Sequence, residues 1–510
     1  MKIAVRVDAS RAIGTGHVRR CLALADALRA IGAEVRFVSR DLGLDVPAMV
    51  AEAGFETLRL PAPAQGAQGF APDAAIPHSA WAEVDGATDA AETAEALADS
   101  PPDWVIVDHY AFGADWHRTV RERLGCRIAA IDDVPDRDFA CDLLVDHNFA
   151  RDHRAKYGAR LPAGTTLLGG PRFALLGPAF ADARRYAISD EVRSIGLFMG
   201  GVDQGDVSSA VLAALEETGF DGAVEIVSTA ANPNLATLER RAAARPGTRL
   251  VTDLPDLAAF FARHDLQVGA AGGATWERCC VGVPTLLLVV ADNQRRVAEA
   301  LAEEGIVATP EPLDAIDPAS IGAALRALMA DPDRRRRLAE GSRALVDGRG
   351  ARRVALALAA SSLAVRPATR EDSALMHEWR DHPSTRSVSR NPAPIAWEDH
   401  EAWLDRTLAD PARTLMIAEI GSVPVGVLRF DRLDERSAEV SLYLDPALHG
   451  LGLGRTMLLA GEAAGEGGLD ILAEVIEGNV ASTRLFESAG YRRVDSTHFI
   501  KPAEARTQTE

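Results

Sequence analysis

Cysteine is scarce and scattered: Cys21, Cys126, Cys141, Cys279 and Cys280 are the only five in 510 residues, with no CxxC and no Cys/His ligand spacing. That excludes a disulfide framework and a structural zinc, and no metal is expected. Long hydrophobic runs are also missing. The longest, Val281 to Ala291, is broken by Pro284 and falls well short of the ~20 apolar residues of a spanning helix. The opening MKIAVRVDA alternates like a strand and has no apolar signal-peptide segment, so a cytoplasmic location is expected. Positive charge is in deficit: Lys+Arg 55 against Asp+Glu 74 gives a net charge of −19. That balance argues against nucleic acid and anionic membrane as partners. Any anionic ligand must be met locally, by backbone N–H groups or a few placed cations.

What is present is ordinary globular composition, 47% apolar and 25% charged, in a chain too long for one core. At roughly 150 residues per domain the length suggests about three units. Val/Ile-rich runs (IAVRV, EVRFVSR, WVIVD, RIAAIDD, DLLVD) alternate with Ala/Leu-rich helical stretches, then restart at SIGLFMGG. Strand–helix alternation implies parallel sheets covered on both faces. The expected fold class is α/β, a pair of doubly wound parallel-sheet domains over 1–185 and 186–361, followed by an α+β domain over 362–503. An Ala/Pro/Gly-rich stretch from Pro61 to Ala87 reads as a surface insertion.

In the first half, strand IAVRVDAS runs into RAIGTGH, placing Gly14 and Gly16 directly before His17 at a helix start. Cys21, Leu24, Leu28 and Ile31 form the apolar stripe of that helix, and His17 lies at its top. It should face the crevice at the carboxyl ends of the strands, where open α/β sheets bind ligands. The helix dipole disfavours imidazolium there, biasing His17 toward the neutral form a general base needs. The plainer alternative is a tight glycine turn with a capping histidine. Asp8 ends the first strand, as a site residue or a turn-former. Asp108, His109 and Tyr110 end WVIVDHY at the same sheet edge.

In the second half, Gly272 and Gly273 precede a helix whose first-turn N–H groups can hold a pyrophosphate. Glu277 can accept from both hydroxyls of a ribose, or simply compensate the helix dipole. Asn293 and Gln294 can read sugar or base, or cap the next helix. In the last domain, AEVSLYLD leads into HGLGLGR. Gly450, Gly452 and Gly454 let backbone amides curl around a second pyrophosphate, with Arg455 adding charge. Glu439, Ser441 and Tyr443 share one strand face, and Glu439 and Tyr443 are candidate proton handlers, against the plainer reading of a solvated face. Asn479 starts a later helix in EGNVASTRLFESAGYRRV.

The runs RVDASRAIGTGHVRRCLALADAL, VDHYAF, DDVPDRDFACDLLVDHN, LLGGPRFALL, MGGVDQGD and GGATWERCCVGVPTLLLVVADNQ resemble the UDP-sugar hydrolases of pseudaminic acid biosynthesis. Those are similar to two-domain GT-B glycosyltransferases. The resemblance implies hydrolysis of UDP-2,4-diacetamido-2,4,6-trideoxy-β-L-altrose to the free sugar and UDP, with inversion. It implies that His17 activates or positions the water, that Gly273, Ala274 and Thr275 hold the diphosphate and Glu277 the ribose, and that Asn293 and Gln294 touch the sugar. Asp8, Gly16, Asp108, His109 and Tyr110 complete the expected substrate site. Phe173, Gly177, Gln204 and Asp206 depart from the expected pattern.

Residues from about 363 to 501 resemble GNAT N-acetyltransferases, through the glycine loop and the Asn-x-x-Ser…Leu-Phe-Glu…Gly-Tyr run. That implies acetyl-CoA as co-substrate, bound by Gly450, Gly452, Gly454, Arg455 and Asn479. It also implies N-acetylation of the 4-amino group of the precursor UDP-amino sugar, with Glu439 as base. His449 replaces the usual Gln or Arg of the loop. Phe486 replaces the usual acid tyrosine, leaving Tyr443, Tyr491 or water to protonate the thiolate. The alternatives are a GT-B glycosyltransferase fused to a GNAT domain of other amine specificity, or one domain that binds without catalysis.

Overall fold

The computed structural model describes every residue except 64–69, 183–187, 253, 255, 256, 466, 467 and 504–510, together with the side chain of residue 293. The expected boundary at 185/186 falls outside the described residues. The chain folds into two compact units, Met1–Arg29 with Ala33–Val354, and Ala30–Gly32 with Ala355–Glu510.

The first unit holds two doubly wound parallel sheets. One runs in the order β3-β2-β1-β4-β5-β6-β7. Its strands are β1 (Lys2–Val7), β2 (Glu34–Arg40), β3 (Glu56–Leu60), β4 (Trp104–Asp108), β5 (Arg127–Ile131), β6 (Leu143–Asp146) and β7 (Thr166–Gly169). The other runs β10-β9-β8-β11-β12. Its strands are β8 (Ser194–Phe198), β9 (Ala223–Ser228), β10 (Thr248–Thr252), β11 (Leu266–Ala270) and β12 (Thr285–Leu288). Central strands β4 and β11 are buried at every position, as strands covered on both faces must be. Their near-continuous apolar runs follow from that. Val105, Ile128, Leu144, Phe112 and Trp116 belong to one core, and Ile195, Leu197, Val211, Leu266 and Ile321 to the other. Strand order reverses between β1 and β4 in one sheet and between β8 and β11 in the other. At such switch points the loops part and leave a crevice at the strand ends.

The second unit carries one mixed sheet, β13-β14-β15-β16-β17-β19-β18. The strands are β13 (Leu363–Pro367), β14 (Arg413–Ile420), β15 (Val423–Arg432), β16 (Ser437–Leu444), β17 (Asp470–Glu474), β18 (Arg492–Arg493) and β19 (His498–Lys501). All pairs are antiparallel except β16 with β17. That parallel ladder covers only Ser437↔Asp470, Ala438↔Ile471 and Glu439↔Leu472, so β16 runs on unpaired by β17 beyond Glu439. Met376, Trp379, Leu404, Leu415, Ile417 and Val427 form a core on this sheet. Among the described residues no helix is long and apolar enough to cross a membrane.

Candidate active site

Helix α1 (Gly16–Ala30) leaves β1 through a turn in which Gly14 has φ +76° and donates its N–H to Ser10 O at 2.8 Å. Only glycine takes that backbone geometry without strain. Gly16 has open space where a Cβ would stand. The helix buries Val18, Cys21, Leu24 and Leu28, and this sets His17 (8% exposed) over the end of β4. There His17 Nδ1 lies 2.6 Å from Asp108 Oδ1. Arg20 donates to both oxygens of Asp108, at 2.6 and 2.5 Å, and Cys21 Sγ donates at 3.3 Å. Burial works against the Asp108 charge, but Arg20 and His17 outweigh it and hold the carboxyl well below the usual range. An ionised carboxylate only accepts, so Nδ1 carries the proton of the His17–Asp108 bond, and in the neutral ring the lone pair lies on Nε2. No partner for His17 is visible in the sequence; the structure adds the carboxylate that orients its ring and fixes the tautomer.

Tyr110 sets its ring edge against His17, 5.0 Å between centroids at 76°. Its hydroxyl donates to Asp133 Oδ1, and burial beside that carboxylate pushes the phenol up, keeping it a neutral donor. Asp133 Oδ2 accepts from Asn148 Nδ2, and Asn148 Oδ1 accepts from Trp276 Nε1 at 3.0 Å. These polar contacts lead from the end of β4 to the second sheet. Trp81 and His78 pack against Tyr110 at 5.7 and 5.5 Å. They come from the stretch read as a surface insertion, where Ser79–Ala82 forms a 3-10 turn.

Two further expected site residues, Asp8 and His109, are buried side by side, with His109 Nε2 3.6 Å from Asp8 Oδ2. Asp8 is fully buried, and it accepts from Arg6 Nη1 (2.5 Å), Arg40 N (2.7 Å) and Ser39 Oγ (3.2 Å). Arg6 and Arg40 also bind buried Asp89, at 2.6 and 2.9 Å, so Asp8 belongs to an internal ion network. His109 is stacked on Phe112 at 4.6 Å and accepts Ala111 N–H at Nδ1; burial pushes its pKa down to about 4. It is a neutral wedge in the core.

In the second sheet, Gly272 and Gly273 are exposed between β11 and helix α2 (Ala274–Val281). A Cβ on either would meet nothing within 4 Å, so a ligand can approach the turn closely. Thr275 fits diphosphate binding less well. It is buried, its N–H donates to Gly272 O at 2.9 Å, and its Oγ1 accepts from Arg278 at 3.3 Å. The Gly273 and Ala274 amides remain at the head of the helix, and half-buried Glu277 lies in its first turn. Gln294 folds back, Oε1 accepting from Val290 N at 3.0 Å, and makes no side-chain cap bond to the helix that follows. Asn293 lies in the 3-10 turn Asp292–Gln294; its side chain is outside the described residues.

In the mixed sheet, Gly450 and Gly452 take φ +84° and +75°, and helix α3 (Leu453–Ala464) follows. Gly452 again faces open space, and the first-turn amides of α3 have no partner one turn back. Gly454 serves packing instead: a Cβ there would collide with Leu485 of helix α4 (Val480–Ser488). Arg455 Nε donates to Ser488 O at 2.9 Å, and Asn479 Oδ1 caps α4 through Ser482 N at 3.1 Å. Both side chains thus serve α4 rather than the glycine turn. Glu439 binds Arg390 at 2.5 Å, and the same guanidinium reaches Glu474. Tyr443 points its hydroxyl toward Met376 O, 3.4 Å away, and burial pushes the phenol up. Tyr491 is unsuited to act as the acid, because its buried hydroxyl donates to Glu462 Oε1 at 2.7 Å. Phe486 packs against Tyr491 and Phe499.

Residues 362–492 match the acetyltransferase (GNAT) domain. The chain therefore joins two doubly wound parallel sheets to a GNAT acetyltransferase domain. It is 28% identical over 255 residues to the spore coat polysaccharide biosynthesis protein SpsG of Bacillus subtilis, covering 49% of this chain and 75% of that protein. It is 21% identical over 305 residues to the UDP-2,4-diacetamido-2,4,6-trideoxy-beta-L-altropyranose hydrolase of Campylobacter jejuni, 60% of this chain and 97% of that enzyme. An uncharacterized protein of Methanocaldococcus jannaschii, MJ1062, is 21% identical over 506 residues, 97% of both chains.

Sequence reasoning passed over Arg20, Asp133, Asn148, Trp276, His78 and Trp81. Asp133 and Asn148 each follow a strand by two residues, after β5 and β6, so the strand-end rule that picks Asp108 reaches them too.

Proposed function

We propose that the first unit hydrolyses a UDP-activated amino sugar to the free sugar and UDP, and that the GNAT domain acetylates an amine of the precursor UDP-sugar with acetyl-CoA. The favoured hydrolytic substrate is UDP-2,4-diacetamido-2,4,6-trideoxy-β-L-altrose. The acetylated group would be the 4-amino group of the precursor UDP-amino sugar, before UDP is removed. The observation that carries this is the His17–Asp108–Arg20 cluster at a switch point, with Nε2 left as a proton acceptor.

In the proposed hydrolysis a water oxygen bonds to the anomeric carbon as the C1–O bond to phosphate breaks, its electron pair leaving with UDP. His17 Nε2 takes the water proton, and Asp108 stabilises the imidazolium that results. Attack opposite the leaving group inverts the anomeric centre. The Gly273 and Ala274 amides meet the diphosphate charge, and Glu277 accepts from the ribose.

For acetyl transfer, the Gly450–Gly452 turn and the amides heading α3 fit a pyrophosphate, since the space over Gly452 is open. Acetyl-CoA supplies an activated thioester carbonyl there. The amine attacks that carbonyl directly, its proton passing to Glu439 once Arg390 gives way, and the thiolate leaves with a proton from Tyr443 or water.

A His17→Ala variant tests the assignment. It should accumulate acetylated UDP-sugar while acetyl transfer continues. UDP release at the wild-type rate would remove His17 from the mechanism. UDP release that requires a sugar or lipid acceptor would favour a glycosyltransferase instead.

A further inference from the structure

Arg278 lies one turn into α2 and is 1% exposed. Its Nη2 donates to Ala270 O at 2.7 Å and to Thr275 Oγ1 at 3.3 Å, both on the segment that turns through Gly272 and Gly273. Its Nε and Nη1 are buried without a hydrogen-bond partner, and among the described residues it makes no ion pair. The surroundings are largely apolar or backbone. The Phe261 ring centroid is 5.9 Å from the guanidinium carbon. On β11, Gly269 leaves the room, since a Cβ there would collide with Nη1. Burial outweighs the pull of Cys279 and Glu277, yet it lowers the pKa only to about 10, so the group is charged at neutral pH.

A buried cation without a paired counter-charge costs several kcal/mol, and the neighbouring strand has given up its side chain to make room for it. The missing anion has an obvious place. The guanidinium sits under the glycine turn and the head of an eight-residue helix, whose N-terminus also favours negative charge.

We propose that Arg278 is the counter-charge for the ligand's diphosphate, a positioning residue that acts through the Gly272–Thr275 turn without touching the ligand. It rests on the reading of this turn as a nucleoside diphosphate site, and it supplies the local cation that a chain of net charge −19 needs there. Free protein carries the charge uncompensated, and nucleotide binding neutralises it.

The test is calorimetric binding of UDP, UMP and uridine to full-length wild type, Arg278→Met and Arg278→Lys, with melting temperatures taken without ligand. Arg278→Met removes the charge at similar volume. It should melt no lower than wild type, bind UDP about ten-fold or more weakly, bind UMP with a smaller loss, and leave uridine unchanged. Arg278→Lys should restore the wild-type preference for UDP over uridine. If Arg278→Met melts well below wild type or fails to fold, the charge is structurally satisfied in the free protein and the proposal is wrong. Equal losses for UDP and uridine, or an unchanged UDP affinity, also overturn it. A wild type that binds no UDP refutes the reading of the turn itself, and the proposal with it.

Discussion

Replacing Asp108 by asparagine changes one atom and inverts the hydrogen-bond logic around His17. The carboxylate accepts from His17 Nδ1, from two nitrogens of Arg20 and from Cys21. An amide has one acceptor oxygen, and the Arg20 guanidinium will claim it. The NH2 group then faces His17 Nδ1, which must accept, so the ring proton moves to Nε2 and the base is lost. General base catalysis supplies roughly 10²–10⁴-fold, so UDP release should fall by about that factor, or about 2.7–5.4 kcal/mol at 1.36 kcal/mol per decade. Affinity for UDP should change little. Stability follows a separate sign. The folded-state pKa of Asp108 is depressed, so its contribution is fully present above the unfolded value near ~3.9 and is lost as pH falls through the folded value. The variant should thus melt lower than wild type at neutral pH, and the gap should narrow only in strong acid. The assay is the initial rate of UDP release from the diacetamido sugar nucleotide, with melting followed from pH 7 down to acid. A variant that keeps its rate within about three-fold refutes the tautomer argument.

Trp276→Phe removes one N–H from the half-buried Asn148 oxygen; losing that hydrogen bond costs about 1 kcal/mol, read as a lower melting temperature, and the polar link to Tyr110 should make the drop in kcat exceed any change in KM. Gly452→Ala forces a side chain to φ +75° in the open glycine turn, about 1–2 kcal/mol of strain; KM for acetyl-CoA should rise while UDP release is unchanged. Tyr491→Phe should lower stability by about 1 kcal/mol through loss of the Glu462 bond and leave acetylation intact, whereas Tyr443→Phe should slow acetylation. The reverse pattern would exchange the two tyrosines.

Local patterns made much of this architecture readable in advance. Strand–helix alternation indicated both parallel sheets, and the glycines before His17, Ala274 and Leu453 marked three helix starts that the structure contains. Long-range electrostatics were not readable. Asp8 ends a strand as Asp108 does, but Arg6 and Asp89, 83 residues apart, and Arg40 draw it inside. Arg20 looks like a helix-surface charge in the sequence, yet it lies three residues after His17 and so shares its face, against a carboxylate 88 residues away. The stretch holding His78 and Trp81 has the Ala/Pro/Gly composition of a loop, and nothing local reveals that both rings return to Tyr110. Thr275 sits where a phosphate ligand is expected, but Arg278 beneath the turn engages its hydroxyl.

The two proposed reactions, joined on one chain, make a demand that a single incubation can check. Purified protein is mixed with the UDP-4-amino sugar, with and without acetyl-CoA, and the products are followed by mass. Acetylated UDP-sugar, then free diacetamido sugar and UDP, should appear only when acetyl-CoA is present. UDP release from the unacetylated sugar at an equal rate, or no acetylation of that amine, would contradict the union of the two activities.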